Sequence, residues 1–169
     1  YFDICPMPRM FEWNYMHHKG LLPAACVDID GVLCQDPTEE ENDDGKKYIN
    51  FISNVKPRLI PSVKMGYLVT TRLEKYRKQT EKWLKKNNIE YGKLIMMNVA
   101  TKEERVRLGN HGLYKGQEYK KLDDAVIFIE SSEHQAPIIA NVSGKPVFCV
   151  DNCKLYLPTA PVVKEKKLR

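Results

Sequence analysis

The sequence contains no apolar run of the roughly 18 residues that a membrane-spanning helix requires. Its first residues also lack the charged-then-apolar order of a secretory signal peptide. Lys and Arg together number 27 against 22 Asp and Glu, so the net charge of +5 is modest. We therefore expect a cytoplasmic protein with no membrane partner.

The sequence also lacks a C-x-x-C pair, and its five cysteines are odd in number and scattered. This usage favours reduced thiols over a disulfide framework. Cys149 and Cys153 together with His17 and His18 would supply zinc-binding side chains, but their spacing matches no common zinc motif. A zinc site is therefore a weaker interpretation of these cysteines than free, reduced thiols.

Internal repeats are absent, and short apolar runs alternate instead with amphipathic segments. With 169 residues, 43% of them hydrophobic, the chain can bury the core of one domain. The alternation predicts an α/β fold, a Rossmann-like three-layer sandwich around a parallel sheet of about five strands. The predicted strands cover residues 24–29, 66–70, 93–97, 125–130 and 146–150.

Helix starts are indicated by capping boxes, in which Ser or Thr precedes an acid or amide by three positions. The pairs are Thr71 with Glu74, Thr101 with Glu104, and Ser132 with Gln135. A further short helix is expected over Tyr48–Asn54, ended by the Lys56-Pro57 pair.

Three segments are predicted along the chain. Residues 1–22, rich in aromatics, form an N-terminal arm or linker whose Phe2, Phe11, Trp13 and Tyr15 need a surface to cover them. Residues 23–155 form the main domain, which carries the motifs considered below, and residues 156–169 form a basic tail.

Polar side chains follow three of the predicted strands. Asp28 and Asp30 come at the end of the first strand, Thr70 at the end of the second and Glu130 at the end of the fourth. Ligands of parallel sheets lie at the carboxyl ends of the strands. Carboxylate and hydroxyl oxygens together suit a phosphate held with a divalent cation such as Mg²⁺.

The run Val27–Leu33, VDIDGVL, resembles the first motif of the haloacid dehalogenase-like (HAD) superfamily, and Leu68–Arg72, LVTTR, is similar to the second. The resemblance spans about residues 24–150. It implies a Mg²⁺-dependent phosphoric monoester hydrolase in which Asp28 attacks phosphorus and forms an aspartyl phosphate. Asp30 would act as general acid and base.

The resemblance also implies roles for the residues around these two carboxylates. Thr70 would hydrogen-bond a phosphoryl oxygen, and Gly31 would allow the tight turn that points backbone N–H groups at the substrate. Thr71 and Arg72 complete the implied substrate-binding set.

The third motif of the superfamily is a lysine upstream of the fourth strand. Lys115 is the first choice from its place in the segment before Glu130, and Lys120 is the reserve. The fourth motif departs from the pattern, because Glu130 is followed by no Asp. The implied Mg²⁺ ligands are Asp28, Asp30 and Glu130, with Glu133 either assisting or complementing the helix dipole.

About thirty residues separate Cys34 from Gly66, a length that predicts a small flap rather than a full cap domain. Such an open site suits a phosphorylated small molecule or a polynucleotide end, or a site covered by an upstream domain or a partner subunit. Residues 11–14 faintly resemble the segment after a phosphoribosyltransferase domain in two-domain proteins. The basic segment Arg72–Lys86 supports the polynucleotide interpretation.

A second class of function stays open beside the phosphatase. The missing acid after Glu130 and the aromatic arm also fit a HAD-like module that binds a phosphate compound or a partner with little or no catalysis. Hydrolysis of a simple phosphate ester separates the two classes.

Overall fold

The computed structural model describes residues 15–109 and 111–159. Phe2, Phe11 and Trp13 of the predicted arm, and residues 160–169 of the predicted tail, lie outside this range. The strands are β1 (Ala25–Val27), β2 (Met65–Leu73), β3 (Tyr91–Met97), β4 (Ile127–Glu130), β5 (Val147–Cys149) and β6 (Lys154–Tyr156). The α-helices are α1 (Lys46–Asn54), α2 (Arg77–Lys86), α3 (Lys102–Leu108), α4 (His111–Lys120) and α5 (Gln135–Ser143).

The strands form one sheet in the order β3-β2-β1-β4-β5-β6. The five strands from β3 to β5 are parallel, as predicted, and β6 adds an antiparallel edge against β5. The Rossmann-like α/β sandwich is therefore confirmed. β1 lies between β2 and β4, which brings the ends of these three strands next to one another.

Alternate residues of the buried strands face two separate apolar layers. On one face Ala25 and Val27 pack with Trp83 and Leu84 of α2. On the other face Cys26 belongs to a cluster with residues of α4 and α5, among them Tyr119 and Ile139. The helices therefore cover both faces of the sheet. Within the described ranges, no helix is long and apolar enough to cross a membrane.

The capping box at Thr71 is wrong, and the reason is strand pairing. β2 continues through Leu73 and pairs Thr70 with Met96 and Leu73 with Met97 of β3, with a register shift between the two pairs. A short 3-10 turn, Glu74–Tyr76, follows before α2 begins at Arg77. Burial of this end of β2 against β3 overrides the local capping signal.

The capping signal at Thr101 matches the structure, and the one at Ser132 matches in part, because the Ser132 amide donates to Glu130 rather than to the buried Gln135 Oε1. Thr101 Oγ1 accepts a hydrogen bond of 3.2 Å from the Glu104 amide, at the start of α3. Ser132 Oγ accepts one of 3.3 Å from the Gln135 amide, at the start of α5.

The segment expected as a small flap, between β1 and β2, contributes helix α1. Tyr48 of α1 meets Tyr76 edge to face at 4.9 Å, and both belong to a third apolar cluster with Leu73 and Met97. Asp43 begins the helix by accepting hydrogen bonds from the Gly45 and Tyr48 amides. This part of the segment is therefore packed onto the sandwich through α2.

Candidate active site

Asp28 lies directly past the end of β1, where the parallel sheet presents its carboxyl edge. Its carboxylate Oδ1 accepts a hydrogen bond of 2.8 Å from the Ile29 amide, and its own amide donates to the Ile129 carbonyl of β4. Asp28 is 4% exposed and Thr70, in the adjacent strand β2, is 1% exposed, with its Oγ1 accepting a hydrogen bond of 3.2 Å from the Arg72 amide. Strand order thus gathers the polar residues that the sequence placed at separate strand ends.

Lys115 of α4 joins the ends of β1 and β4. Its Nζ lies 2.5 Å from Asp28 Oδ2 and 2.7 Å from Glu130 Oε2, and all three side chains are buried. Among the lysines weighed for the third motif, the structure therefore places Lys115 beside the predicted nucleophile. The reserve, Lys120, is exposed at the end of the same helix.

Glu130 is held in place by the residues directly after it in the chain. Its Oε1 accepts hydrogen bonds from the Ser131 and Ser132 amides at 3.0 and 3.1 Å, while Oε2 accepts from Lys115. Glu133, the other acid weighed for this motif, does not take part in these contacts. Glu130 therefore fixes both the lysine and the turn after β4.

Burial dominates the electrostatics at Asp28. It raises the pKa of the Asp28 carboxyl to about 7, with Lys115 opposing the rise and Glu130 and Asp30 adding to it. For Lys115, burial lowers the pKa, but the two carboxylates outweigh it and the net direction is upward. The lysine is thus a permanent cation beside a carboxyl that titrates near neutrality.

Asp30 is paired with Arg72 of β2. The guanidinium Nη2 lies 2.6 Å from Asp30 Oδ1, and Nε lies 3.0 Å from Oδ2. Arg72 is fully buried, with Thr80 Oγ1 and Cys34 Sγ each 3.4 Å from its terminal nitrogens. Arg72 was assigned to substrate binding from the resemblance, whereas its contacts here serve to orient Asp30.

Gly31 is the position where the turn after β1 requires glycine. Its φ is +79°, and a Cβ at this position would lie 2.0 Å from Ser131 Oγ. Both the left-handed backbone and the approach of Ser131 exclude a side chain. Thr71, the remaining predicted substrate contact, is half-buried and takes no part in the contacts among Asp28, Lys115 and Glu130.

Two charged residues near Gly31, Arg58 and Asp36, are not indicated by any sequence motif. Arg58 donates from Nη1 to the Gly31 carbonyl and pairs through Nη2 with Asp151 at 2.9 Å. Asp36 Oδ2 lies 3.1 Å from the position of a Gly31 Cβ, and burial followed by repulsion from Asp30 raises its pKa. Each lies in a loop whose charged residues looked like ordinary solvent-facing ones, so no local pattern marked them.

The carboxylates of the site suit a hard divalent cation in kind, since oxygen is the ligand that Mg²⁺ prefers. Asp28 and Glu130 are the two that would hold it, and both already share Lys115. The Asp30 carboxylate accepts hydrogen bonds from Arg72 through both oxygens, so this guanidinium occupies the oxygens that a metal ion would need. Across the described part of the chain, no group of three or more His, Cys, Asp or Glu side chains forms a metal cluster.

The zinc alternative is not supported by these positions. Cys149 is buried in β5, where its Sγ donates to the Ser131 carbonyl, whereas the His17 ring hydrogen-bonds Ser62 Oγ at 2.8 Å. Cys153 is an exposed free thiol. Cys26, Cys34 and Cys149 are free and buried, which agrees with the expectation of reduced thiols.

Comparison with known proteins gives a match at the level of fold. No family model matches the chain, and no curated protein matches it. A chain in the solved structure described as "Structure of Pnkp1/Rnl/Hen1 complex" matches with a TM-score of 0.50 and 18% sequence identity. The match covers 89% of this chain and 54% of that one, so the chain spans about half the length of its structural relative.

Proposed function

We propose that the protein is a phosphoric monoester hydrolase that acts through an aspartyl phosphate on Asp28. The observation that carries the proposal is the pairing of a buried carboxylate, Asp28, with Lys115 at 2.5 Å at the carboxyl edge of a parallel sheet. A second acid, Asp30, stands two residues further along the same turn. The VDIDGVL resemblance to the HAD superfamily supports the same assignment.

The first step forms one bond and breaks another at phosphorus. The Asp28 carboxylate attacks, the ester oxygen leaves, and Asp30, which enters this step protonated, supplies that oxygen with its proton. Lys115 keeps its positive charge throughout and offsets the negative charge that accumulates on Asp28 and the phosphoryl oxygens. The Thr70 hydroxyl donates to one of those oxygens.

In the second step water replaces Asp28 on phosphorus. Asp30, now ionised, takes a proton from the water, so the phosphate leaves and both carboxyl groups return to their starting states. Arg72 binds both oxygens of the Asp30 carboxylate, which is the form that acts in this second step. The guanidinium therefore orients Asp30 as the general base.

Mg²⁺ belongs to this proposal as the cofactor that the family resemblance implies. Bound by Asp28 and Glu130, it would supply further positive charge against the substrate phosphate. Its contribution is tested by measuring hydrolysis with Mg²⁺ and after chelation.

The test is hydrolysis of an aryl phosphate by the wild-type chain and by Asp28→Asn. We expect the variant to lose roughly 10³-fold or more in kcat/KM, because the nucleophile is gone. Asp123→Asn, at an exposed aspartate away from the site, is the matched control and should retain activity. Peptide mass spectrometry of the quenched wild-type reaction should find a hydroxylamine-sensitive phosphoryl group on Asp28.

A second candidate is a binding module of the same fold with no turnover. It is favoured by the saturation of the site's carboxylates by Lys115 and Arg72. Equal, negligible hydrolysis by wild type and Asp28→Asn, with and without Mg²⁺, would establish this alternative in place of the hydrolase.

A further inference from the structure

Helix α2 and the turn before it carry a row of exposed lysines. Lys75, Lys78, Lys82, Lys85 and Lys86 are all exposed. From Lys75 to Lys85 the lysines are spaced by three, four and three residues, and Lys86 directly follows Lys85. This spacing places all five along one side of the helix. We call this set the α2 lysine row.

The positive charge of this row is largely uncompensated. Arg77 binds the two acids of residues 74–86, Glu74 and Glu81, so those carboxylates are already neutralised. Glu90, beyond the end of α2, lines a surface hollow together with Lys85. Lys75 pairs with Asp44 at 2.7 Å. The other four lysines of the row form no salt bridge with any residue in the described ranges. Like charges at this spacing repel one another, so an external anion would stabilise the row.

A groove runs beside the row, between α1 and α2. It has a volume of about 250 Å³ and is lined by Ser53, Asn54, Gln79, Lys82, Trp83 and Lys86. Gln79 also lines the groove, and its Oε1 is buried without a hydrogen-bond partner among the described residues. An unpaired buried acceptor is costly, and rotation of this side chain into the groove would let it accept from an amino group of a nucleobase.

The row begins close to the candidate active site. β2 carries Thr70 and Arg72, and Lys75 follows within the 3-10 turn that leads into α2. From Lys75 to Lys86 the row extends about 16 Å at the rise of an α-helix. A chain whose end lies in the site would therefore meet regularly spaced positive charges as it leaves.

We propose that the α2 lysine row binds the phosphodiester backbone of a single-stranded polynucleotide, whose terminal phosphate enters the site. The assignment of that phosphate as substrate rests on the proposed hydrolase, whereas the binding does not. Asp28 is 4% exposed, so a protruding chain end reaches it and the side of a duplex does not. None of the exposed large apolar residues of the described chain lies on α2, which argues for a polyanion rather than a protein partner.

The binding test uses Asp28→Asn protein, which leaves the ligand intact, and a fluorescent single-stranded oligonucleotide with a terminal phosphate. With four unpaired lysines engaged, log Kd should change with log salt with a slope of magnitude about 3. The triple variant Lys78→Gln, Lys82→Gln, Lys85→Gln should reduce that slope to about 1 and weaken binding tenfold or more at low salt. The matched control replaces Lys19, Lys120 and Lys154 by Gln, an equal change in net charge at exposed lysines elsewhere, and should keep the wild-type slope.

Parallel arms with DNA, RNA and polyglutamate define the ligand. Tighter binding of DNA or RNA than of polyglutamate supports the proposal and identifies the nucleic acid. Equal binding of polyglutamate, equal losses in the two triple variants, or no binding at low salt would each overturn it. Gln79→Ala should weaken oligonucleotide binding severalfold without changing the salt slope, and an unchanged affinity would remove the groove from the proposal.

Activity assays keep this inference separate from the hydrolase. In the lysine variant, kcat/KM for a small aryl phosphate should equal that of wild type, while KM for an oligonucleotide end rises. If the chain hydrolyses the aryl phosphate but its oligonucleotide binding does not depend on the α2 lysine row, the inference is rejected and the proposed hydrolase stands. If oligonucleotide binding depends on the row but no phosphate is hydrolysed, the proposed hydrolase is rejected and the inference stands.

Discussion

Lys115 is the residue on which the candidate site depends most directly. It is buried between Asp28 and Glu130, and each of its two contacts is a charge-assisted hydrogen bond. Removing one member of such a group leaves an uncompensated charge in the interior, which is costly to folding as well as to chemistry. A loss of activity on replacing Lys115 would therefore mix two effects. Asp28→Asn is the better catalytic test, because Lys115 stays paired with Glu130 in that variant.

At the same scale, the raised pKa of Asp28 predicts a pH dependence. The nucleophile must be ionised, so kcat/KM should fall about tenfold per pH unit below a pKa of about 7. The measurement is kcat/KM for an aryl phosphate from about pH 5 to about pH 8, corrected for ionisation of the substrate. A profile that is flat below neutrality would contradict the prediction.

The raised pKa of Asp28 also makes the free energy of unfolding depend on pH. Because folding favours the protonated Asp28, its contribution to the free energy of unfolding is full below pH 3.8 and is lost as the pH rises through about 7. Asp28→Asn should lack this component, so its stability should vary less over that interval than that of wild type. Urea unfolding at several pH values measures the difference.

At the scale of helices and strands, Asp44 connects three segments of the chain through its side chain. Its carboxylate accepts hydrogen bonds from Lys75 Nζ at 2.7 Å, Tyr76 Oη at 2.6 Å and the Lys102 amide at 3.1 Å. It therefore ties the loop before α1 to the turn before α2 and to the first residue of α3. Its φ of +54° is one that aspartate tolerates better than most residues.

We expect Asp44→Gly to lower the free energy of unfolding by about 1–3 kcal/mol, because the hydrogen bonds are lost while the backbone conformation is relieved. Asp44→Ala should cost about 1 kcal/mol more, since alanine is strained at positive φ. Urea denaturation of both variants separates the two effects. Equal stability of the glycine variant and wild type would show that the three bonds do not hold the elements together.

On the scale of the whole molecule, the predicted boundary at residue 22 divides a segment that packs into the core. Tyr15 and Met16 are buried, and the Tyr15 ring lies 5.1 Å from that of Phe148 in β5. The Ser62 amide donates to the Met16 carbonyl, which fastens the segment to the chain before β2. Tyr15, Met16 and Leu22 thus belong to the core of the domain.

Tyr15→Ala should therefore destabilise the whole domain by about 3–5 kcal/mol, the range for removing a buried aromatic ring. His18→Ala, at an exposed position three residues later, is the control and should stay within about 0.5 kcal/mol of wild type. Chemical denaturation of the full chain measures both. An effect of Tyr15→Ala as small as that of the control would mean that the segment adds little to the fold.

The α/β class, the five parallel strands and the grouping of Asp28, Thr70 and Glu130 could all be predicted from the sequence. They depend on apolar runs, alternation and the position of polar residues at strand ends, all of which are local patterns. The choice of Lys115 also succeeded in placing a lysine beside Asp28, because the order of motifs along the chain limited the candidates. Thr71 failed as a helix cap, because pairing of β2 with β3 outweighs a local signal.

The pairs formed by Arg72 and Arg58, in contrast, are decided only in the folded chain. Arg72 meets Asp30 across 42 positions of the chain, and Arg58 reaches Gly31 across 27 and Asp151 across 93. Such pairs arise from how strands and loops are stacked in space, and neither arginine lies in a pattern that indicates its partner. The strand ends and Lys115 were predictable because backbone periodicity is local and motif order limits the candidates, whereas the partners of Arg72 and Arg58 were fixed by packing.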